Sequence, residues 1–468
     1  MPRIMRRPLA AAALLSSFLF VPAAVAQGTQ GTTDVPTPPS VDDPMLVPVP
    51  RAKIEVKTWE EALTHVRARS TDIRIATQEV LRAEAQQRVA LGAALPSLTG
   101  TTGYVHNIIT NQIPQPVGIG PGGLITRQIQ TPFPDFFQGQ LVATQPVVAL
   151  RAWHAVGTAR VAEDAARFSF EDAKRQIALA VANALVGVVT AERIAELNRV
   201  GLRNALTRLE LTVRKSALGG ASGIDVVRAR QDVEVARATL VAGDETLRQA
   251  REMLGLALGL PEQVGVPPSV DISGLERDAR TSCKPASTVD DRPDVAALRT
   301  RVEVAHRGVN DVKYQFAPTV NLQSGLATTT LDTGAAPNTT WNVQAVLSLS
   351  IWDGGIRYGN LRDQQAQELI AEQKLEAGRR TAIIQIAQAR RGVTVSEDRL
   401  RVATAARDLA AETDRLTRLA YQEGRGTSLE LIVAAQALRE SEIQLALREF
   451  ELVKSRVLAV LALASCPW

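Results

Sequence analysis

Four histidines, two cysteines and scattered carboxylates are the side chains from which this 468-residue chain could build catalysis or a metal site. His65, His106, His154 and His306 stand far apart, with no HExxH or similar spacing to bring two imidazoles onto one helix face. There is no GxSxG elbow and no P-loop. Gly118-Ile-Gly-Pro-Gly-Gly lacks the preceding strand and following helix of a phosphate cradle, so it reads as a surface loop. The residues point away from an enzyme and call for neither metal nor cofactor. Cys283 and Cys466 remain, and an oxidising compartment would allow them to pair.

That compartment is indicated by residues 1–26. Arg3, Arg6 and Arg7 form a basic region, Leu9 to Val21 an apolar core, and Ala24-Val25-Ala26 a cleavage site, as in a secretory signal. The core is shorter than the roughly 20 residues a spanning helix needs, and no lipoprotein cysteine follows it. Without the signal, 50 basic residues face 49 acidic ones, a balance of +1. With no basic stripe carrying interleaved aromatics, nucleic acid is not an expected partner. The longest uncharged apolar stretch, 177–191, is too short to span a bilayer and includes Asn183. A membrane-inserted form must therefore use strands.

The positioning elements occur twice, offset by 205 residues. Val226, Val233, Leu240, Leu247 and Leu254 form an apolar row at heptad spacing, and Leu431, Leu438, Leu445, Leu452 and Ala459 repeat it. Asp225 corresponds to Glu430 and Gln231 to Gln436. Such self-similarity predicts one supersecondary unit built twice and packed around a common axis. Each half reads helix, strand, loop, strand, long helix, turn, helix. The first repeat is expected over 58–259, a Pro-rich linker over 260–290, the second repeat over 291–464 and a tail over 465–468. Residues 27–57 read as an extended or flexible lead-in.

Thr58 with Glu61 signals a capping box opening a helix that runs to about Ala94. The segment from about Ile108 to Asp135, rich in Pro and Gly, reads as loop. Val320, Leu322, Ser324 and Leu326 alternate with Asn321 and Gln323; Trp341, Val343, Ala345, Leu347, Leu349 and Ile351 alternate with Asn342, Gln344, Val346, Ser348 and Ser350. This period of two gives each strand an apolar and a polar face. Two strands per half, joined by loops of unequal length, suit an outer-membrane barrel better than a sandwich. Leu150 to Lys215 and Gly355 to Gln422 read as helices near 100 Å long, each flanked by two half-length helices stacked end to end. Val395, Val402, Leu409 and Leu416 give the second long helix a coiled-coil seam. This tiling puts the linker and the C-terminal tail together at mid-rod, which is the reason to expect Cys283 bonded to Cys466. Gly219, Gly220, Gly223, Gly424 and Gly426 lie in the turns that reverse the helical hairpins.

Thr58-Trp59-Glu60-Glu61-Ala62-Leu63, Ala94-Leu95-Pro96-Ser97-Leu98, Arg292-Pro293-Asp294-Val295, Ile351-Trp352-Asp353-Gly354-Gly355 and the run from Tyr421 through Gly424 to Ser428-Leu-Glu430 stand in the order and spacing of one family. Nearly the whole mature chain resembles the TolC-like outer-membrane efflux proteins. The first strand-to-helix junction departs from the pattern, with Pro146-Val147-Val148-Ala149-Leu150 in place of Asp-Gly-Gly. The resemblance implies a homotrimer in the outer membrane of a Gram-negative bacterium. Four strands per chain would form a 12-stranded barrel, continued by a periplasmic α-helical tunnel. It implies a passive channel in contact with outer-membrane lipid, served by a periplasmic adaptor (membrane fusion) protein and an inner-membrane transporter. It also implies a gate in which Tyr421 and an Arg bond to the neighbouring hairpin's turn, partly through Asp225. The Arg position falls on Gly426, with Arg425 beside it. Glu430 would form an inward acidic ring; Val433 replaces a second. The competing reading is a soluble periplasmic adaptor or scaffold of helical hairpins, but the lipoyl-like β-domain of an adaptor is not visible.

Overall fold

The computed structural model describes residues 41–132, 135–268, 274–331 and 337–466. The expected signal at 1–26 lies outside them. In chain order the first elements are β1 (Ile54–Glu55), α1 (Trp59–Arg69), α2 (Thr71–Gly92), β2 (Ser97–His106), β3 (Asn111–Gly120), β4 (Gly123–Thr131) and β5 (Asp135–Val148). Then come α3 (Leu150–Ala217), α4 (Gly223–Ala257), β6 (Val264–Gly265), α5 (Leu275–Ser282) and β7 (Lys284–Pro285). The second half holds α6 (Pro293–Lys313), β8 (Thr319–Thr329), β9 (Thr339–Ser348), α7 (Ile356–Gln422), α8 (Ser428–Leu461) and β10 (Ala464–Ser465).

The helices form a one-layer wall. At the strand end the order is α2-α3-α6-α7, and at the far end α4-α3-α8-α7. The 68-residue α3 and 67-residue α7 run the length of the wall, about 100 Å at 1.5 Å per residue. Four of the strands form an antiparallel sheet in the order β2-β5-β8-β9. One open edge of the molecule is therefore β2 with α2 and α4, and the other is β9 with α7.

Several elements differ from the sequence expectation. The first helix is broken at Ser70, which has extended backbone, ends α1 and caps α2. The chain leaving α4 crosses at that point: a Cβ on Gly259 would lie 2.7 Å from the Arg69 carbonyl. The box at its start is half-formed, because Glu61 accepts from the Lys57 N–H while Thr58 accepts from the Glu61 N–H. The segment read as loop holds the β3–β4 hairpin, with Pro114 and Pro116 inside β3. The second strand of the later pair stops at Ser348, so Leu349 and Ile351 lie beyond it. Within the linker, β6, α5 and β7 are ordered elements.

The described part of the lead-in, 41–57, is a strap rather than a loose segment. Met45 and Leu46 pack on Leu202, Val233 and Leu240, Val49 packs beside Leu247, and β1 pairs in parallel with β6. Arg237 holds Asp43 at 2.7 Å and keeps its carboxyl below the usual range.

At mid-rod lies the largest core. Val56, Trp59 and Leu63 of the α1 region meet Val181 and Val188 of α3, Leu254 and Leu258, and Val457 and Leu461. An 18-residue window of α3 is apolar enough to cross a membrane by composition, longer than the 177–191 stretch suggested. Its Ile177, Ala178, Val181, Leu185 and Val188 instead enter this core. The helices use their heptads differently: Val233, Leu240, Leu247 and Leu254 of α4 are buried within the chain, whereas Val402 of α7 is 69% and Leu409 71% exposed.

Cys283 and Cys466 stand in this core with sulfurs 2.06 Å apart, beside the antiparallel β7–β10 pair. The bridge spans 183 residues of chain, and a crosslink of that span contributes about 2–5 kcal/mol. Denatured, non-reduced protein is expected to show no reactive thiol, and Cys283→Ser with Cys466→Ser to lower the unfolding midpoint. Two reactive thiols per chain would contradict the pairing.

Candidate functional site at the helical tip

The two hairpin turns repeat each other in backbone as well as in sequence. Gly219 and Gly424, 205 residues apart, both have φ +77, a left-handed conformation that costs Gly nothing and other residues strain. These are the tip glycines that need that freedom; Gly220, Gly223 and Gly426 do not take positive φ. Gly426 is needed for closeness, since a Cβ there would sit 3.0 Å from the Tyr421 nitrogen.

Each following helix opens with a full capping box. The Ser222 N–H donates to Asp225 at 3.0 Å, and the Asp225 N–H to the Ser222 hydroxyl at 3.4 Å. The Thr427 N–H donates to Glu430 at 2.8 Å, and the Glu430 N–H to the Thr427 hydroxyl at 3.2 Å. These bonds hold both carboxyls below their usual range. For Asp225 the Ser222 hydroxyl is the main cause, with smaller help from Arg228 and from Ser428 of the other hairpin. For Glu430 the main cause is the Thr427 N–H.

The cap uses one Asp225 oxygen, Oδ2, and within the chain Tyr421 meets a different partner. The Lys215 ammonium lies 4.1 Å from the Tyr421 ring centroid, joining the end of α3 to the end of α7. Arg425 is 84% exposed, and its nearest carboxylate is Glu423 at 4.0 Å. The structure thus brings Tyr421 to Lys215 and Asp225 to Ser222, and leaves Arg425 facing solvent. Val433 is exposed as well.

One heptad above Asp225, a second tie crosses the hairpins. Asp232 is 3% exposed, accepts from Arg208 of α3 at 2.6 Å and from Gln436 of α8 at 2.9 Å. Removing one member of such a buried set leaves uncompensated polarity. Sequence reasoning overlooked both Lys215 and Asp232. The signal for Asp232 was present: an acid directly beside a buried heptad position and next to Gln231, the counterpart of Gln436. Among the described residues no group of three or more His, Cys, Asp or Glu could hold a metal ion. The arrangement holds two hairpins in register through electrostatic ties.

A family model described as outer membrane efflux protein matches residues 62–260 and 285–463. Nodulation protein T of Rhizobium leguminosarum bv. trifolii is 24% identical over 308 residues, covering 62% of this chain and 63% of that protein. Toluene efflux pump outer membrane protein TtgC of Pseudomonas putida is 26% identical over 282 residues, 58% of this chain and 57% of that one. The matches thus span about six-tenths of these relatives' length. Among solved structures, the outer membrane protein VceC of Vibrio cholerae superposes with TM-score 0.70 at 18% identity, covering 86% of this chain and 95% of that one. The open-state MtrE channel of Neisseria gonorrhoeae gives 0.68 at 17%, covering 91% and 97%. These share the fold.

Two outcomes are expected at the tip. Lys215→Met and Tyr421→Leu should speed hydrogen exchange of the turn amides about 2–5-fold, the loss of an exposed cation–π contact of about 0.5–1 kcal/mol, while Tyr421→Phe stays near wild type. An equal effect of Tyr421→Phe would make the hydroxyl the tie. The caps should also respond to acid. Both carboxyls sit below their unfolded values of about 4, so their stabilisation is complete above that pH and is lost as pH falls through the lower folded values. Exchange at the two turns should rise over that window in wild type and be insensitive to it in Asp225→Asn with Glu430→Gln.

Proposed function

Because this chain belongs to the outer membrane efflux protein family, we propose that it is the outer-membrane exit channel of a tripartite efflux pump or type I secretion system. An inner-membrane transporter and a periplasmic adaptor deliver the substrate, and this protein conducts it passively outward from a Gram-negative periplasm.

The observation that carries the reading is the open wall. Among the described residues the outer strands β2 and β9 each pair on one side only, and in lipid such an edge would leave backbone groups unsatisfied. One chain cannot close a barrel from four strands. Two would give eight, a barrel whose interior side chains fill. Three give 12 and leave a passage, so the homotrimer is the smallest assembly that both closes and conducts. The same closure would bring the α7 edge of one copy against the α2 and α4 edge of the next. Val402, Leu409 and Leu416, exposed in the single chain, would supply the apolar seam there. On the sheet, Leu141, Leu326, Trp341 and Val343 lie on one face, suited to lipid contact. The tip ties then act at the periplasmic mouth, where loosening Lys215–Tyr421 or Asp232–Gln436 would let the hairpins part. In this role the protein performs no chemistry on what it passes.

Light scattering in mild detergent is expected to give three times the mature mass, and Val402→Glu with Leu409→Glu to shift the protein to smaller species. A wild-type monomer, soluble without detergent, would favour a periplasmic scaffold instead.

A further inference from the structure

The second face of the four-stranded sheet carries no ionisable side chain among the described residues. The register puts Thr101 opposite Gln140, Thr144 opposite Gln323, and Gln323 opposite Gln344, all on this face. Asn321 and Asn342 lie there too, two positions from their strand-mates Gln323 and Gln344. The Gln344 amide donates to Gln323 Oε1 at 3.0 Å, and the register sets these amides and hydroxyls side by side across the sheet. Among the described strand residues, every position on this face is Ser, Thr, Asn, Gln, Gly, Ala, Val, Pro or Phe. The charges nearby are placed elsewhere. His106 and Asp135 face the apolar side at the outer end of β2 and β5 and pair with each other at 2.7 Å. At the helical end of the sheet, Asp353 is neutralised by Arg357 at 2.7 Å, and Arg151 stands at the start of α3.

Charge elsewhere in the rod cannot substitute. The tip carboxylates Asp225 and Glu430 lie a full α7 length away, 67 residues, or about 100 Å. Ionic screening extends about 8 Å at physiological salt, so their field does not reach the sheet. We infer that the membrane-level passage is an electrically neutral collar of amides and hydroxyls that admits cationic, anionic and zwitterionic solutes alike. Sorting by charge is then confined to the helical part. This rests on the channel reading above and specifies what its outer segment selects.

Gln140 and Leu141 are adjacent in β5 and face opposite ways, which makes the inference testable from outside intact cells. Gln140→Cys and Leu141→Cys are each exposed to a cationic (trimethylammonium) and an anionic (sulfonate) methanethiosulfonate, with wild type as the blank. Gln140→Cys is expected to react with both, at rates normalised to a free thiol that agree within about threefold, while Leu141→Cys is protected by lipid. Adding Thr101→Glu, directly across from Gln140, should create a preference of about tenfold or more for the cationic reagent, the effect of one sign of charge in a confined space. A tenfold preference at Gln140→Cys without that substitution overturns the neutral collar and leaves the channel standing. Labelling of Leu141→Cys with protection of Gln140→Cys overturns the channel reading itself. An unchanged ratio on adding Thr101→Glu means the two positions do not share a lumen, and the inference fails.

Discussion

Among the described residues the backbone N–H and C=O groups along the outer edges of β2 and β9 have no strand beside them within one chain, and a hydrocarbon surrounding would offer no water to satisfy them. That deficit organises the molecule. The same two edges continue into the helices, as α2 and α4 on one side and α7 on the other, so whatever closes the sheet also closes the rod. On the proposed closure the exposure of Val402 and Leu409 would follow from the same constraint, since a heptad seam on an edge helix would find its partner in another copy.

The two repeats have one plan and divide its work. The first hairpin is consolidated within the chain. Arg199 reaches Asp244 at 3.1 Å, Arg251 reaches Glu192 at 3.1 Å, Leu240 and Leu247 are buried, and the 41–57 strap lies over the seam. The second hairpin has lighter cross-ties, chiefly Ser396 to Ser455 at 2.7 Å and Arg456 to Glu397 at 3.1 Å. Fully burying one Leu of the first row contributes about 1.5–3 kcal/mol, a stabilisation the exposed α7 row lacks within the single chain. The mid-rod core and the Cys283–Cys466 pair fasten the halves together where the half-length helices meet.

Periodicity made the long elements legible. The bounds of α3 and α7 follow from unbroken helical pattern ended by Gly-rich turns, and β8 and β9 from strict alternation. The 205-residue offset holds at the level of backbone angles, at Gly219 and Gly424. What sequence could not reveal depended on contacts made far along the chain. Ser70 breaks its helix because Gly259 crosses there, and a capping Ser is indistinguishable in sequence from one inside a helix. The β3–β4 hairpin carries two prolines and several glycines, which read as loop. The strap at 41–57 has no period of its own; its order comes from Asp43 meeting Arg237 and from apolar side chains filling a groove built roughly 200 residues later. At the tip, Lys215 lies over the Tyr421 ring, a pairing between helix ends that no spacing encodes.

Closure of this wall by three copies of itself is most directly tested at the sheet edges. Single cysteines stepped along β2 and, in the same chain, along β9 would be oxidised in native outer membranes and the products resolved by denaturing electrophoresis. The account predicts that pairs in register crosslink between chains, and that the ladder ends at a closed three-chain species. Crosslinks confined within one chain, or ladders running beyond three, would contradict it.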